Sequence, residues 1–341
     1  MYKISVIPGD GIGPVVTGYA VSIVRELASR VGLSVEFVEA PAGDKIAAET
    51  GEALPRDSLK KIMASDACLK GPVGETAKDV IVFLRQKLDL YANIRPFKTY
   101  RGVKTYWSGV DFVIVRENTE DLYKGVEDVG RDHAVSLLVI TRFGTARIAQ
   151  VALNIANERR RRVTIVHKAN VLTSYRFFRD VALEVLRQGG ISVDEMYVDN
   201  AAYQLVVNPT IFDVILTPNM FGDILSDLAA GITGSIGLAG SANVGEDKGV
   251  FEPVHGSAPG LNPDYANPIA TILSASYMLG WLGMSRRDER LSRVSKAIER
   301  AVESVLDEGR VLTPDLGGSS RGGEVSSAIL NKALYNLNME K

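Results

Sequence analysis

Apolar positions along the chain alternate between short runs typical of strands and longer stretches with helical spacing. The chain opens with an apolar run at residues 2–7, a glycine-rich turn at residues 9–14 and then a helix. On that helix Val16, Ala20 and Ile23 share one face, as expected of an amphipathic helix packed against a sheet. The opening therefore predicts a strand, a tight turn and a helix in succession.

The same alternation continues through most of the chain. Further strands are predicted at residues 35–38, 67–69, 111–116, 163–166, 193–198 and 214–216. Helices are predicted at residues 79–88, 145–161, 173–188 and 269–282. The run at 111–116 is almost continuously apolar, which indicates a strand covered on both faces. Alternating strands and helices predict an α/β protein.

Length and charge narrow the class of protein. A chain of 341 residues suggests two domains, and since no linker is evident, the chain should cross between them more than once. The net charge of −2 gives no support to a nucleic-acid or membrane partner. The N-terminus is too short and polar for a signal peptide. Because Cys68 is the only cysteine, we expect a reducing, cytoplasmic environment.

The turn Gly9-Asp10-Gly11-Ile12-Gly13-Pro14 joins a predicted strand to a predicted helix. Glycines at this spacing permit a tight turn, and the following helix N-terminus favours anions. The spacing is not the Gly-x-Gly-x-x-Gly of dinucleotide-binding turns. An anion site and a purely structural turn both remain open.

Three arginines are candidates for binding an anionic substrate. Arg85 lies late in the 79–88 helix, Arg95 follows that helix, and Arg116 ends the apolar 111–115 run. An arginine at the end of a buried strand is unusual unless it meets an anion or a carboxylate. A substrate with two carboxylates would use several such groups, whereas internal salt bridges are the alternative.

Asp223 and Asp227 are candidates for holding a metal ion. They are four residues apart in a helical segment, so they share one face and repel each other unless a cation lies between them. Oxygen ligands alone favour magnesium or manganese. A helix-capping Asp223 beside a solvated Asp227 is the alternative.

Lys168 and Tyr123 are candidates for proton transfer. Lys168 directly follows an apolar strand, where a lysine could lie desolvated in a cleft, and Tyr123 lies on a loop. Each side chain could equally pack or extend to solvent.

Taken together, the motifs resemble the isocitrate and 3-isopropylmalate dehydrogenases over essentially the whole chain. The matching segments begin with the glycine turn and continue through Leu84-Arg85, Asp89-Leu90-Tyr91-Ala92-Asn93-Ile94-Arg95-Pro96, Val115-Arg116-Glu117-Asn118-Thr119-Glu120-Asp121-Leu122-Tyr123 and His167-Lys168-Ala169-Asn170. They end with Tyr197-Val198-Asp199, Asn219-Met220-Phe221-Gly222-Asp223-Ile224-Leu225-Ser226-Asp227, Phe251-Glu252-Pro253-Val254-His255-Gly256-Ser257-Ala258-Pro259, Ala266-Asn267-Pro268 and Thr313-Pro314-Asp315-Leu316-Gly317-Gly318. Each motif is modest, but their joint order and spacing are specific.

The resemblance implies a two-domain α/β fold that is not a Rossmann fold. One domain, on the cofactor side, would comprise residues 1–91 and 235–341, built from both chain ends. Residues 92–234 would form a middle domain that carries the dimer interface. The resemblance further implies a homodimer whose active sites contain residues of both subunits.

The resemblance also implies roles for individual residues. Arg85, Arg95 and Arg116 would bind the substrate carboxylates. A divalent ion, Mg²⁺ or Mn²⁺, would be bound by Asp223 and Asp227 with Asp199 of the partner subunit. Tyr123 and the partner subunit's Lys168 would be the acid–base pair. The cofactor would contact Glu252, His255, Gly256, Ser257, Ala258, Asn267 and Asn170.

The identity of the cofactor depends on Gly260. Many relatives carry an aspartate there that accepts the ribose hydroxyls of NAD, and NADP-dependent members tend to carry lysine. No basic residue lies in residues 260–266 to hold a 2′-phosphate, which favours NAD. Arg321 is the candidate phosphate partner that keeps NADP as the alternative.

Substrate choice in the family depends on the helix that leads into Arg85. Isocitrate enzymes carry serine and asparagine where this chain has Asp79 and Ile81. Ile81 and Val82 would offer an apolar wall to an isopropyl group, and Asp79 would repel a third carboxylate. We therefore expect oxidative decarboxylation of 3-isopropylmalate, a step of leucine biosynthesis. Homoisocitrate, isocitrate and D-malate remain alternatives, as does a packing role for the two apolar residues.

Two functions of other classes are weighed against this one. A non-catalytic regulatory subunit would tend to lose catalytic residues, yet every expected one is present. Nucleic-acid binding through Arg159-Arg160-Arg161-Arg162 competes with a solvated helix end, where cations complement the helix dipole.

Overall fold

The computed structural model describes residues 1–339 and shows a mixed α/β fold. Its strands are Tyr2–Ile7 (β1), Val35–Glu39 (β2), Ala67–Lys70 (β3), Ala92–Lys98 (β4), Asp111–Glu117 (β5), Glu127–Val129 (β6), Ala134–Ser136 (β7), Arg162–His167 (β8), Ser192–Tyr197 (β9), Val214–Thr217 (β10), Gly240–Val244 (β11) and Gly249–Pro253 (β12). Every strand expected from the apolar pattern is present, with ends shifted by a residue or two.

The helices cover both faces of the main sheet. They are Gly13–Arg30 (α1), Asp44–Thr50 (α2), Arg56–Met63 (α3), Phe83–Lys87 (α4), Arg142–Asn157 (α5), Thr173–Arg187 (α6), Val198–Val207 (α7), Asn219–Ile232 (α8), Ile269–Arg286 (α9), Glu289–Glu308 (α10) and Gly322–Met339 (α11). Helix α9 packs against β11, β12 and α10, so the apolar stretch at 269–282 is a buried helix as expected. No helix within residues 1–339 is long and apolar enough to cross a membrane.

Ten strands form one sheet in the order β2-β1-β3-β12-β11-β4-β5-β10-β8-β9. The first five come from residues 1–91 and 235–341, and the last five come from residues 92–234. The strands pair in parallel except around β11 and β4, where the two groups meet and the pairing is antiparallel. This segregation supports our proposal of two domains with those boundaries, although residues 340 and 341 lie outside the described part of the chain.

Strand β5 shows why the apolar run at its position is nearly continuous. Val113 and Val115 pack in the same core as Ile148 and Ala152 of α5, whereas Ile114 packs on the opposite face of the sheet. Both faces of β5 are therefore covered, as the sequence predicted. The strand ends at the fully buried Arg116 and the buried Glu117.

Two predicted helices differ from those observed. The 79–88 helix is a π-helical turn at Lys78–Val82 followed by the short α4, a distinction that apolar spacing alone does not make. The 145–161 helix begins earlier, at Arg142, because the Thr141 hydroxyl caps it by accepting a hydrogen bond from Gly144 N. It also ends at Asn157.

The four-arginine run therefore lies beyond α5 rather than on it. Arg159 pairs with the buried Asp213 and with Asp111, and Arg162 pairs with Asp194. Arg160 donates to backbone carbonyl oxygens, including those of Thr210 and Phe212. The run therefore contacts the chain's own acceptors, although Arg160, Arg161 and Arg162 stay exposed.

Candidate active site

A cleft of about 1030 Å³ brings most of the predicted residues together. Its lining includes Arg85, Arg95, Tyr123, Asp223, Glu252, His255, Gly256, Ile81 and Val82. These residues come from both ends and from the middle of the chain. The cleft therefore lies where the two groups of strands meet.

The strand register explains why Arg95 and Arg116 come together beside this cleft. Asn243 of β11 lies opposite Asn93 of β4, which in turn lies opposite Arg116 of β5. Residues directly opposite each other in a sheet project to the same face, as do residues two apart on one strand. Arg95 therefore joins Asn93 and Arg116 on that face.

Arg116 and Asp223 form the central ion pair of the site. Arg116 Nη1 donates to Asp223 Oδ1, and Arg95 Nη1 lies 3.4 Å from the same oxygen. Arg95 Nη1 is buried and has no hydrogen-bond partner within residues 1–339. An unpartnered buried guanidinium nitrogen that borders a cleft indicates a place for an anion.

The charges of these groups are strongly coupled. Burial alone would raise the pKa of Asp223, but the guanidinium groups of Arg116 and Arg95 outweigh it and lower the pKa to about 2. Burial, together with the neighbouring Arg95, lowers the pKa of Arg116 to about 9, which leaves it protonated at neutral pH. The cluster is thus a preformed set of charges at the cleft wall.

Tyr123 lies in hydrogen-bond contact with this cluster. Its hydroxyl donates to Asp223 Oδ2 at 2.7 Å, and its ring lies 5.2 Å from the Arg116 guanidinium carbon. Burial and the adjacent Asp223 carboxylate raise the pKa of the phenol. Tyr123 therefore stays protonated at neutral pH and can act as a proton donor.

Asp227 follows Asp223 by one helical turn on α8. Unlike Asp223, it makes no hydrogen bond or ion pair within residues 1–339, and burial raises its pKa. Neither aspartate caps a helix, since α8 begins at Asn219. No group of three or more potential metal ligands occurs within the described residues, so one chain supplies at most a pair of carboxylates here.

Glu252 is held by cations from two other elements. Its carboxylate accepts from Lys70 Nζ at 2.7 Å and from Arg85 Nη2 at 3.2 Å. Burial would raise the pKa of Glu252, but Lys70 and Arg85 outweigh this and lower it to about 2. Both carboxylate oxygens are therefore engaged, and Glu252 fixes the position of Arg85. The predicted contact of Glu252 with the cofactor stays a prediction.

Lys168 and Asp199 do not line the cleft. Lys168 follows β8, Asp199 lies in the first turn of α7, and the two side chains pair with each other at 2.8 Å. The Asp199 side chain is 68% exposed. The structure thus separates this pair from Tyr123 and Asp223 within one chain.

The residues predicted to contact the cofactor are divided among three places. His255 and Gly256 line the cleft, and burial lowers the pKa of His255. Asn267 donates to Asp315 and accepts from Ile269 N at the start of α9. Asn170 is exposed in the turn after Lys168 and lies outside the cleft lining.

The glycine turn packs against Ser257. Ile12 N donates to Ser257 O, and a Cβ at Gly11 would lie 2.0 Å from that oxygen. Gly9 approaches Pro72 O equally closely, and both glycines have positive φ. These contacts explain the glycines by close backbone approach, which favours the structural alternative. Ala258, next to Ser257, also has a positive φ of 43°.

Comparison with known proteins assigns this arrangement to a family. A model of the family described as isocitrate/isopropylmalate dehydrogenase matches residues 3–331. The chain belongs to the isocitrate/isopropylmalate dehydrogenase family. It is therefore a dehydrogenase, and the family resemblance of its motifs is confirmed.

Individual members of the family are similar over nearly their full length. A 3-isopropylmalate dehydrogenase from Sulfurisphaera tokodaii is 47% identical over 334 residues, which are 97% of this chain and 99% of that protein. A 3-isopropylmalate dehydrogenase from Saccharolobus solfataricus is 48% identical, and the match covers 94% of this chain and 96% of that protein. The crystal structure of an isocitrate dehydrogenase from Methylococcus capsulatus superposes with a TM-score of 0.89 at 40% identity, covering 98% and 99%. The predicted fold class is confirmed.

The structure of this dehydrogenase also shows residues that the sequence did not single out. Lys70 is fully buried at the end of β3, and Asn243 and Asn219 contact the arginines. A lysine that ends an apolar strand was the available signal for Lys70, by the same reasoning that selected Arg116. Asparagines give no such signal, because they are common in turns and at helix ends.

Proposed function

We propose that this dehydrogenase catalyses the metal-dependent oxidative decarboxylation of 3-isopropylmalate with NAD, a step of leucine biosynthesis. The observation that carries the proposal is a cleft lined by Arg85, Arg95 and the apolar Ile81 and Val82, with the fully buried Arg116 paired to Asp223 of the same lining. Relatives that are 44–48% identical are named for 3-isopropylmalate. The single, buried Cys68 fits a reducing, cytoplasmic environment.

The wall of the cleft favours an isopropyl group over a third carboxylate. Ile81 and Val82 line it, and Asp79 lies beside them. Burying a carboxylate there without donors would cost several kcal/mol, whereas an isopropyl group would gain roughly 1–2 kcal/mol by apolar burial. Lys78, which precedes Asp79 and also lines the cleft, donates to Glu127 at 3.0 Å. Its charge is thereby balanced by the chain itself.

Asp223 and Asp227 fit a role as ligands of Mg²⁺ or Mn²⁺. Their carboxylates share one face of α8, and Asp227 has no partner within the described residues, as a vacant ligand would. Asp199 of the partner subunit would complete the set. Held by these carboxylates, Mg²⁺ or Mn²⁺ would supply the Lewis-acid chemistry that oxidative decarboxylation of a hydroxy acid requires.

Tyr123 and Lys168 would transfer the protons of the reaction. The Tyr123 hydroxyl, held by Asp223 at 2.7 Å, would protonate the carbon that loses carbon dioxide. Lys168 of the partner subunit would assist removal of the substrate hydroxyl proton. Arg85, Arg95 and Arg116 would hold the two carboxylates during both steps.

Exposed apolar residues support a homodimer. Tyr203, Val206 and Ile224 on α7 and α8 are 61%, 51% and 62% exposed, and Val129 on the β6–β7 hairpin is 74% exposed. These elements all belong to the proposed middle domain. Large apolar side chains left exposed on several elements of one domain are typical of a protein–protein contact. A second copy of the chain would cover it and bring Lys168 and Asp199 to the partner's cleft.

NAD is the proposed cofactor. Gly260 and the exposed loop after it carry no basic side chain up to Ala266, so that loop has no group to hold a 2′-phosphate. Arg321 is exposed and keeps NADP as the alternative. His255, Gly256, Ser257, Ala258, Asn267 and Asn170 remain the proposed cofactor contacts, together with Glu252.

Steady-state kinetics with a panel of substrates tests the proposal. The purified protein with Mn²⁺ is offered NAD or NADP against 3-isopropylmalate, isocitrate, homoisocitrate and D-malate. We expect kcat/KM for 3-isopropylmalate to exceed that for isocitrate by at least about a hundredfold, with NAD preferred. Equal or better kcat/KM with isocitrate would refute the proposed substrate. Full activity after removal of metal with EDTA would refute the metal requirement.

A further inference from the structure

Each of the three arginines is held in the same way by an asparagine. Nε of Arg85 donates to Asn243 Oδ1 at 3.0 Å, and Nε of Arg95 donates to Asn93 Oδ1 at 2.5 Å. Arg116 donates from Nε and Nη2 to Asn219 Oδ1 at 3.0 and 2.7 Å. In all three cases a neutral carbonyl oxygen binds the Nε side of the guanidinium.

The asparagines are themselves immobile. All three are fully buried. Asn243 Oδ1 accepts from Arg85, Asn93 and Asn118, and its Nδ2 donates to Val250 O and Glu252. The Asn93 amide therefore links two of the arginines, because it accepts from Arg95 and donates to Asn243.

Asn219 occupies a different position in the fold. It is the first residue of α8, and its Nδ2 donates to Glu120 O at 3.3 Å. It is therefore the one of the three that lies at a helix N-terminus rather than in the sheet.

The choice of a neutral acceptor has an electrostatic consequence. Four buried or half-buried cations, namely Arg85, Arg95, Arg116 and Lys70, face three carboxylates, namely Glu252, Asp223 and Asp227. A carboxylate in place of any asparagine would bind the guanidinium more strongly but would remove the excess of positive charge. An asparagine fixes the side chain and leaves that excess for a ligand.

We propose that Asn243, Asn93 and Asn219 are positioning residues that orient Arg85, Arg95 and Arg116 without neutralising them, so that the cleft keeps its charge for a dianionic substrate. This inference rests on the proposed function only in taking the ligand to be a hydroxy acid with two carboxylates. The inference predicts that an asparagine-to-aspartate change, which preserves shape, weakens substrate binding.

Asn219→Asp is the sharpest variant for the test. Aspartate is favourable at a helix N-terminus, and although the change removes the long hydrogen bond to Glu120 O and buries a carboxylate, Arg116 already donates to this side chain and offsets the new charge. Substrate affinity is measured by calorimetry with 3-isopropylmalate and Mn²⁺ in the absence of NAD, so that no turnover occurs. Mn²⁺ affinity is measured by electron paramagnetic resonance, and Tm is measured by scanning calorimetry. Asn154→Asp, exposed on α5, adds the same charge outside the cleft as a control.

We expect Asn219→Asp to weaken the binding of 3-isopropylmalate at least about tenfold. Mn²⁺ should bind equally well or more tightly, because the added carboxylate lies one turn from Asp223. Tm should not fall, and Asn154→Asp should leave all three values unchanged. Asn219→Ala, which frees Arg116 but keeps its charge, should give an intermediate substrate affinity.

An unchanged substrate affinity in Asn219→Asp would overturn the inference. So would a loss of substrate affinity accompanied by equal losses in Mn²⁺ affinity and Tm, since that pattern reports general damage. If Asn219→Asp does not fold, an Asn219→Ala variant with wild-type substrate affinity overturns it instead. Failure of the wild type to bind or oxidise 3-isopropylmalate would be a failure of the proposed function, and the same comparison would then be made with the substrate it does use.

Discussion

The charged residues at the cleft and the Lys168–Asp199 pair differ in how far their charges are buried and in how many partners hold them. In the cleft, Arg116 is fully buried, Arg85 is 5% exposed, and each group is bonded to several others. At the other place Asp199 is 68% exposed, and its carboxylate accepts a hydrogen bond from Lys168 Nζ at 2.8 Å. One group of charges is desolvated during folding, whereas the other is still solvated in a single chain.

If the site is shared between subunits as proposed, this difference explains which half of it one chain completes by itself. Desolvating several charges is costly, and the cleft offsets that cost through its ion pairs and asparagine contacts. A pair such as Lys168–Asp199, in which the carboxylate is exposed, contributes little to stability in water. Its side chains gain a strong electrostatic effect only when another surface covers them, which is what a partner subunit would do.

The largest expected effect concerns activity, in which the two regions should behave alike. Asp223→Asn in the cleft and Lys168→Ala at the exposed pair should each lower kcat by about 10³-fold or more, because both remove groups that we propose act at the reacting centre. Steady-state rates with saturating metal and NAD provide the measurement. A Lys168→Ala protein with near-normal kcat would exclude that residue from proton transfer.

A smaller effect concerns stability, in which the two regions should differ. Glu252→Gln removes a buried acceptor of Lys70 and Arg85 and should cost roughly 3–5 kcal/mol of the free energy of unfolding, as for a broken buried ion pair. Asp199→Asn removes only an exposed partner and should leave that free energy unchanged. Urea denaturation of both variants beside the wild type measures the difference, and equal losses would remove the distinction between the two regions.

The pH dependence of stability sharpens the same comparison. The pKa of Glu252 is lowered to about 2, from an ordinary value of 4.5, so its stabilising effect is fully present above pH 4.5 and is lost as the pH falls towards 2. Wild-type protein should therefore lose stability over this range more steeply than Glu252→Gln. Parallel curves of unfolding free energy against pH would show that Glu252 is not the group responsible.

The smallest expected effect is at the cleft wall. The Lys78 side chain is 72% exposed and paired with Glu127, so it should take little part in binding a dicarboxylate. Lys78→Ala should change kcat/KM for 3-isopropylmalate by less than about threefold. A loss of tenfold or more would place Lys78 among the substrate contacts. It would then favour a substrate with three carboxylates, such as isocitrate, over 3-isopropylmalate.

The sequence predicted the charged residues at the cleft better than the asparagines that hold them in place. Arg116 could be selected because charge at the end of an apolar run is conspicuous, and Asp223 because it lies one helical turn from Asp227. Arg85, Arg95 and Tyr123 became specific candidates through the family motifs that contain them. Asn243 and Asn93 could not be selected, because their importance follows from a register between β11 and β4 that joins positions 150 residues apart. Apolar periodicity does not specify which strands pair.

The same limit applies to local geometry near the cleft. Apolar spacing located the helix that leads into Arg85 but did not distinguish its π-helical turn, since a single wide turn shifts the pattern by only one residue. The separation of Lys168 from the cleft was expected from the family resemblance alone. Nothing in the local sequence of either region indicates that they lie apart in one chain.

The most direct test of a site shared between subunits is activity in mixed dimers. Lys168→Ala and Tyr123→Phe chains, each inactive alone, are mixed under conditions in which a tagged pull-down shows that subunits exchange. A mixed dimer would contain one site with both Tyr123 and Lys168 intact, so a shared site predicts recovery of up to about a quarter of wild-type activity at equal mixing. Exchange of subunits without any recovery of activity would show that Tyr123 and Lys168 do not act in one site across the dimer.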